Sequence, residues 1–350
     1  MVGPVPPGWQ GHVGTRVVLR VTAGNGRYRD VLGDLLAADD ATLRVLTRRG
    51  EVTVAVADVV AGKPVPPAPA RKAPPHLALS TLALESAMAG HWQASRTHRL
   101  GTPPGWLLRA ADGFTNRANS VLPLGDPGMP LPDAVTAVTR WYEDAGLPGR
   151  AATPAPRPDD PDRAVLDDAA GAFADAGWAT LAGAGADVLV APTAELLAAA
   201  ATPPAGLRVA LLDEPDAGWL DRYHYRGQPL TPAGVTLLRS APRQVFAAVR
   251  DGGGTVAVAR GSVAHGWAGV TAVEVAPEHR RQGLARLLLS AVAGWAWRSG
   301  AGSTFVQVGE ANEAALTLYL DAGFTRHHTY AYLAPPESAG AQGVSHDSAP

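Results

Sequence analysis

The chain has no cysteine, almost no net charge and no long uncharged apolar run, and each absence removes a class of protein. Without a thiol among its 350 residues there is no disulfide, no thiolate metal site and no acyl group carried on cysteine. A net charge of −2 supplies no global field to draw the molecule onto nucleic acid or an anionic membrane. The first residues, Met1 to Pro7, lack a basic segment followed by an apolar core. Neither a signal peptide nor a membrane-spanning helix is expected, and the cytoplasm is the default location.

What is present points to a globular chain of two or three domains. Hydrophobic residues make up 46% of it, enough for substantial cores, and 39 Gly with 31 Pro mark many turns and linkers. Residues 11–62 carry short β-type runs divided by Gly-Asn-Gly, Asp-Asp and Arg-Gly turns, which predicts a small SH3-like or Tudor-like barrel. Residues 1–72 hold ten Lys/Arg against six Asp/Glu. No RNA-binding motif accompanies that excess, so it is read as the solvated faces of strands rather than a nucleic-acid site. The Pro-rich run 63–75 reads as a stiff linker, and the polar tail 336–350 as disordered.

The stretch Val273-Glu-Val-Ala-Pro-Glu-His-Arg-Arg-Gln-Gly-Leu-Ala285 carries the chemistry. A β-branched run stops at Pro277, two arginines and Gly283 follow, and apolar residues then recur with helical spacing at Leu284, Leu287, Leu288, Ala291, Val292 and Trp295. A strand therefore delivers the backbone to a helix N-terminus, where unpaired N–H groups and the helix dipole favour a phosphate. Taken alone, the short motif also fits an ordinary arginine-bearing helix start. Downstream come a strand at Ser303–Val308, a helix carrying Ala315, Leu316, Tyr319 and Leu320, an Asp-Ala-Gly-Phe stop at Asp321–Phe324, and a final strand at Thr329–Leu333.

This order, from about Gln244 to Leu333, resembles the acetyl-CoA-binding half of the GNAT superfamily of N-acetyltransferases. The resemblance implies that Arg280, Arg281, Gln282, Gly283, Leu284 and Ala285 hold the pyrophosphate of acetyl-CoA, the co-substrate, through backbone amides and arginine charge. It implies that Val273 and Val275 offer main-chain groups to the pantetheine arm, that Asn312 bonds that arm, and that Tyr319 is the general acid beside the sulfur. Glu274, the only carboxylate in its strand, is named as the base; its other reading is a solvated strand residue. The acceptor is an amine, on a small molecule or a peptide. No metal, membrane or nucleic-acid partner is called for, and a homo-oligomer is left open. The alternative is an acyl-CoA-binding sensor or scaffold without turnover.

Residues 76–202 read as a second, degenerate copy of the same unit ahead of the working one at 206–335, giving an α/β (α+β) fold of tandem mixed-sheet units. Ala172-Phe-Ala-Asp-Ala-Gly-Trp178 echoes Leu318-Tyr-Leu-Asp-Ala-Gly-Phe324, and each precedes a strand ending Ala-Pro. Where the working unit has its arginines, this one has Gly125-Asp-Pro-Gly-Met-Pro-Leu-Pro132, whose Asp126 repels phosphate and whose prolines lack amide donors. Phe173 stands where the tyrosine would be. Three further groups are weighed. Trp219, Tyr223, His224 and Tyr225 suit either an acceptor pocket or a domain interface. Asn116, Arg117 and Asn119 either border an acceptor cleft or satisfy a turn, the second being preferred. His327 and His328 lack a third partner at ligand spacing and are not read as a metal site.

Overall fold

The computed structural model describes residues 8–23, 26–47, 50–65, 74–198 and 203–336. Two units separate, Met1–Lys72 and Ala73–Pro350. The expected tail from 337 onward and most of the linker lie outside the described residues.

The first unit is one antiparallel sheet of β1 (Arg16–Thr22), β2 (Tyr28–Ala38), β3 (Thr42–Thr47), β4 (Gly50–Ala55) and β5 (Val59–Pro64), in the order β4-β3-β2-β1-β5. Alternation along β1 turns Val17, Leu19 and Val21 inward, where they meet Leu35, Leu43, Val45 and Trp9. Outward-facing arginines find acids across the strands, Arg20 with Asp30 at 3.0 Å and Arg44 with Glu51 at 2.5 Å. The SH3-like or Tudor-like barrel expected from the sequence is not confirmed, because the sheet is not closed among the described residues. A 3₁₀ turn at Val56–Asp58 sends β5 to the far edge beside β1, and no pairing among the described residues joins it to β4. β5 also takes Lys63 and Pro64 from the expected linker.

The second unit runs α1 (Thr81–Ala89), β6 (Arg96–Leu100), β7 (Trp106–Ala110), β8 (Leu122–Pro123), α2 (Leu131–Asp144), β9 (Ala151–Ala155), α3 (Arg163–Asp175), β10 (Ala179–Thr180), β11 (Ala186–Pro192) and α4 (Thr193–Ala198). It continues with β12 (Arg208–Leu212), α5 (Ala217–Arg222), β13 (His224–Tyr225), β14 (Gln228–Pro229), α6 (Pro232–Leu238), β15 (Arg243–Arg250) and β16 (Thr255–Ala264). The last elements are β17 (Trp267–Val275), α7 (Leu284–Arg298), β18 (Ser303–Gly309), α8 (Glu313–Asp321) and β19 (Thr325–Ala334). No helix among the described residues is long and apolar enough to cross a membrane.

A single sheet crosses both halves of this unit. Its path is β12-β15-β16-β17-β18-β11-β19, with β9 on the other edge of β19. β11, from the earlier half, is thus seated between β18 and β19 of the later half, while β19 is seated between β11 and β9 of the earlier one. The echo in sequence is an echo in geometry. α3 and α8 both end on Asp-Ala-Gly, turning through Gly177 (φ 79°) and Gly323 (φ 95°). Each half also has one parallel junction, a bridge between Val121 and Ala151 in the first and the β17–β18 ladder in the second.

The later half buries the apolar face of α7 on its sheet. Leu284, Leu287, Leu288 and Val292 pack against Val245, Ala247 and Ala257, each leucine contributing about 1.5–3 kcal/mol relative to exposure. That packing fixes where the N-terminus of α7 points.

Candidate functional site

The site begins where two strands part. β17 and β18 pair in parallel at only three positions, ending with Gly269 opposite Phe305. A side chain at Gly269 would strike the Phe305 ring, whose nearest atom lies 2.7 Å from an ideal Cβ. Beyond that pair the strands diverge, and a cleft of about 380 Å³ opens between them, lined on one side by residues 270–275. A bulge shapes that side. Ala272 takes φ 54°, and the register against β16 shifts between Val258 and Arg260.

The ladder decides which main-chain groups face the cleft. The Ala276 N–H donates to the Val256 carbonyl at 2.8 Å, so this pair and Glu274 with Val258 exchange bonds with β16. The groups of Val275 therefore point the other way, into the split, and Arg280 Nε reaches the Val275 carbonyl at 3.4 Å. Side chains alternate as well. Val273 and Val275 pack with the α7 core, while Glu274 lies on the opposite face.

The turn into α7 is an array of donors. Arg281 (φ 63°) and Gly283 (φ 79°) both take left-handed backbone. The first bond of the helix runs from the Leu287 N–H to the Gly283 carbonyl at 3.0 Å, and the amides of 281–286 meet no acceptor among the described residues. An ideal Cβ on Gly283 meets nothing within 4 Å, so open space lies over the turn and the glycine is required by its φ. Arg280 and Arg281 are exposed beside it. Gln282 sends its side chain back to the Glu278 carbonyl at 3.3 Å, which leaves its amide as the group offered to a ligand. Leu284 is buried in the α7 core, and Ala285 lines the cleft. The arrangement fits a diphosphate.

Tyr319 and Asn312 enter the same cleft from α8. Tyr319 is 7% exposed, packs edge-on against Phe324 at 5.4 Å, and burial pushes its hydroxyl up to about 12. It is a phenol that keeps its proton at neutral pH. Asn312 caps α8, its Oδ1 accepting the Ala315 N–H at 3.0 Å, so only its amide NH₂ is left for a ligand. Glu274 is half-buried rather than solvated: one carboxylate oxygen accepts the His224 N–H at 2.7 Å, and the other lies 3.4 Å from His224 Nδ1.

The earlier half touches the strand that lines the cleft, through Arg117. Arg117 reaches across to Tyr330 Oη (3.1 Å) and the Gln307 carbonyl (3.4 Å), and Gln307 lies on β18 inside the split. The β13–β14 hairpin spans the gap, His224 meeting Glu274 and the Tyr225 hydroxyl donating to Thr115 Oγ1 at 3.2 Å. Asn119 is a turn residue as expected, accepting the Ala111 and Gly113 N–H groups at 2.7 and 2.9 Å. Trp219 is core, its indole N–H donating to the Ala247 carbonyl at 3.1 Å. In the earlier half the place matching Tyr319 is filled: Phe173 is fully buried and stacks on Trp106 at 5.3 Å. His327 and His328 form a buried chain from the Leu79 carbonyl to Glu85, and no group of three metal-ligating residues occurs among the described residues.

Comparison with known proteins agrees with this geometry. The family model described as "Probable histone acetyltransferase Rv0428c C-terminal" matches residues 81–333. The probable histone acetyltransferase Rv0428c of Mycobacterium tuberculosis is 32% identical over 345 residues, covering 95% of this chain and 98% of its own. The uncharacterized N-acetyltransferase YobR of Bacillus subtilis is 29% identical over 256 residues, covering 70% of this chain and 96% of its own. Among solved structures, a GCN5-related N-acetyltransferase from Kribbella flavida shares the fold with a TM-score of 0.51 at 20% identity, over 73% of this chain and 95% of that one. The chain belongs to the Rv0428c C-terminal family and, with it, to the GNAT-superfamily N-acetyltransferases: it is an acyltransferase.

Proposed function

We propose that the cleft binds acetyl-CoA and that the acetyl group passes to a primary amine by direct attack within a ternary complex. The observation carrying this reading is the run of partnerless amides at 281–286, set at the end of a strand whose outer edge is open. The diphosphate sits on those amides with Arg280 and Arg281 beside it, the pantetheine arm lies along Val273 and Val275 as an added strand, and the Asn312 amide meets it. The thioester then reaches the split between Tyr319 on one face of the sheet and Glu274 on the other.

Chemistry follows from that placement. The amine nitrogen attacks the thioester carbonyl and gives its proton to Glu274, which His224 holds in position. The Val275 N–H faces the split and stabilises the oxyanion. The C–S bond breaks as the intermediate collapses, and the departing sulfur takes the Tyr319 proton. Residues 206–335 form the working unit. The earlier half is a degenerate copy whose place matching Tyr319 is filled by Phe173 stacked on Trp106.

The test is calorimetric titration of the full chain with coenzyme A, paired with thiol release from acetyl-CoA against an amine panel. Binding with turnover supports the reading; no heat with coenzyme A ends it.

A further inference from the structure

Arg117 differs from Arg260 and Arg109 of the same unit. Arg260 on β16 is fully buried and satisfied, donating to the carbonyls of Leu238 (2.6 Å) and His91 (3.2 Å) and to Thr271 Oγ1 (3.5 Å), with the Trp92 ring 4.7 Å away. Arg109 gives Nε to the Ser120 carbonyl (3.1 Å) and Nη2 to its hydroxyl (2.9 Å), both within the earlier half. Arg117 is only half-buried. Its two bonds run to Tyr330 and Gln307, and its Nη1 has no hydrogen-bond partner and no carboxylate within ion-pair distance among the described residues.

Its position gives the loose guanidinium a use. Gln307, whose carbonyl it touches, lines the same cleft as Glu274. Arg117 itself lines a small adjoining cavity of about 20 Å³ with Glu85, Trp92 and Tyr332. Trp92, whose indole N–H is buried without a partner, lines it too. The Tyr225 hydroxyl, two residues from Arg117 on Thr115, closes the side toward the hairpin.

We propose that the amine acceptor carries a carboxylate, which binds Arg117 while the amine lies at Glu274. The proposal rests on the acetyl-transfer reading above. A guanidinium fork matches a planar carboxylate through two parallel bonds. A phosphate dianion fits less well, because Glu85 borders the cavity and Glu274 the adjoining cleft. Glu274 and Arg117 then read opposite ends of an amino-acid-type substrate.

The test uses the full-length enzyme and thiol release. α-, β- and ω-amino acids are compared with their carboxamides, their phosphonate analogues and an end-blocked peptide whose one amine is an internal lysine. At least one free carboxylate should exceed its carboxamide by roughly 10–100-fold in kcat/KM. Arg117→Gln should bring that substrate down to its carboxamide with coenzyme A affinity kept, and Arg117→Lys should fall between. Equal use of acid and amide, preference for the phosphonate or the blocked peptide, or an equal loss on both partners in Arg117→Gln would overturn the proposal. If no amine turns over, titration of the amino acids into the coenzyme A-loaded enzyme decides: heat that Arg117→Gln removes supports it, and no heat overturns it. A wild-type enzyme that fails to bind coenzyme A would instead end the parent reading, and this one with it.

Discussion

Tyr319 and Phe173 stand at matching points of the two halves: the carbonyl of each accepts, at 3.0 Å, the N–H of the aromatic residue five positions on, across an Asp-Ala-Gly turn. One ring carries a hydroxyl at an open cleft; the other is sealed against Trp106. Tyr319→Phe should therefore lower kcat by ~10²-fold or more while coenzyme A affinity stays the same. Phe173→Ala should leave the cleft chemistry in place but cost about 3–5 kcal/mol of stability, read by denaturant unfolding. A Tyr319→Phe enzyme with unchanged kcat would remove the phenol from the mechanism.

Backbone shape and side-chain charge separate cleanly at the turn before α7. Arg281 holds φ 63°, a conformation that glycine adopts without strain. Arg281→Gly should keep the amide array and lose one positive charge, giving a modest, salt-sensitive drop in coenzyme A affinity. Gly283→Val at φ 79° should distort the array and abolish binding. Comparable affinities for the two variants would contradict the amide cradle.

Glu274 has a main-chain and a side-chain tether, and only one can be removed by mutation. Glu274→Gln should cut kcat by ~10²–10⁴-fold with coenzyme A binding retained. His224→Ala leaves its own backbone N–H in place at 2.7 Å and should cost far less. A larger loss in His224→Ala than in Glu274→Gln would make the histidine the base.

Acid should destabilise the second unit before its carboxylates titrate. Burial, with Arg260 and His265 adding to it, drops His91 to about 3, and burial together with His328 drops His327 to about 4. Both lie below the ordinary histidine value near 6.5, so the unfolded chain binds more protons than the folded one. The stability they support is complete above about pH 6.5 and is lost as pH falls through 6.5 toward 3–4. Each is worth on the order of 3 kcal/mol over that range. Melting temperatures at pH 7 and pH 5 check this, and His327→Gln should flatten the slope. A melting temperature that does not change over this interval would refute it.

The parts of the site that were legible in the sequence are local. Pro277, Gly283 and the apolar spacing of α7 define a strand, a turn and a helix start within a few residues of one another, and the donors lie where that predicts. What was not legible depends on residues far apart. The preference for Asn119 as a turn residue held, but Arg117, two positions earlier, acts on β18 through a contact 190 residues away. Glu274, named as the base, gave no sign of its partner, because His224 comes from a hairpin 50 residues upstream. The small barrel is unconfirmed for the same reason: alternation marks strands, while closure is set by where a turn sends the last of them.

Because β11 fills the slot beside β18, and β19 the slot beside β9, neither half is a removable module. Cutting the chain near residue 203 would strip a neighbour from each and leave bare, aggregation-prone edges on both fragments. The earlier half thus has an architectural part: the sheet of the later half is not complete without β11.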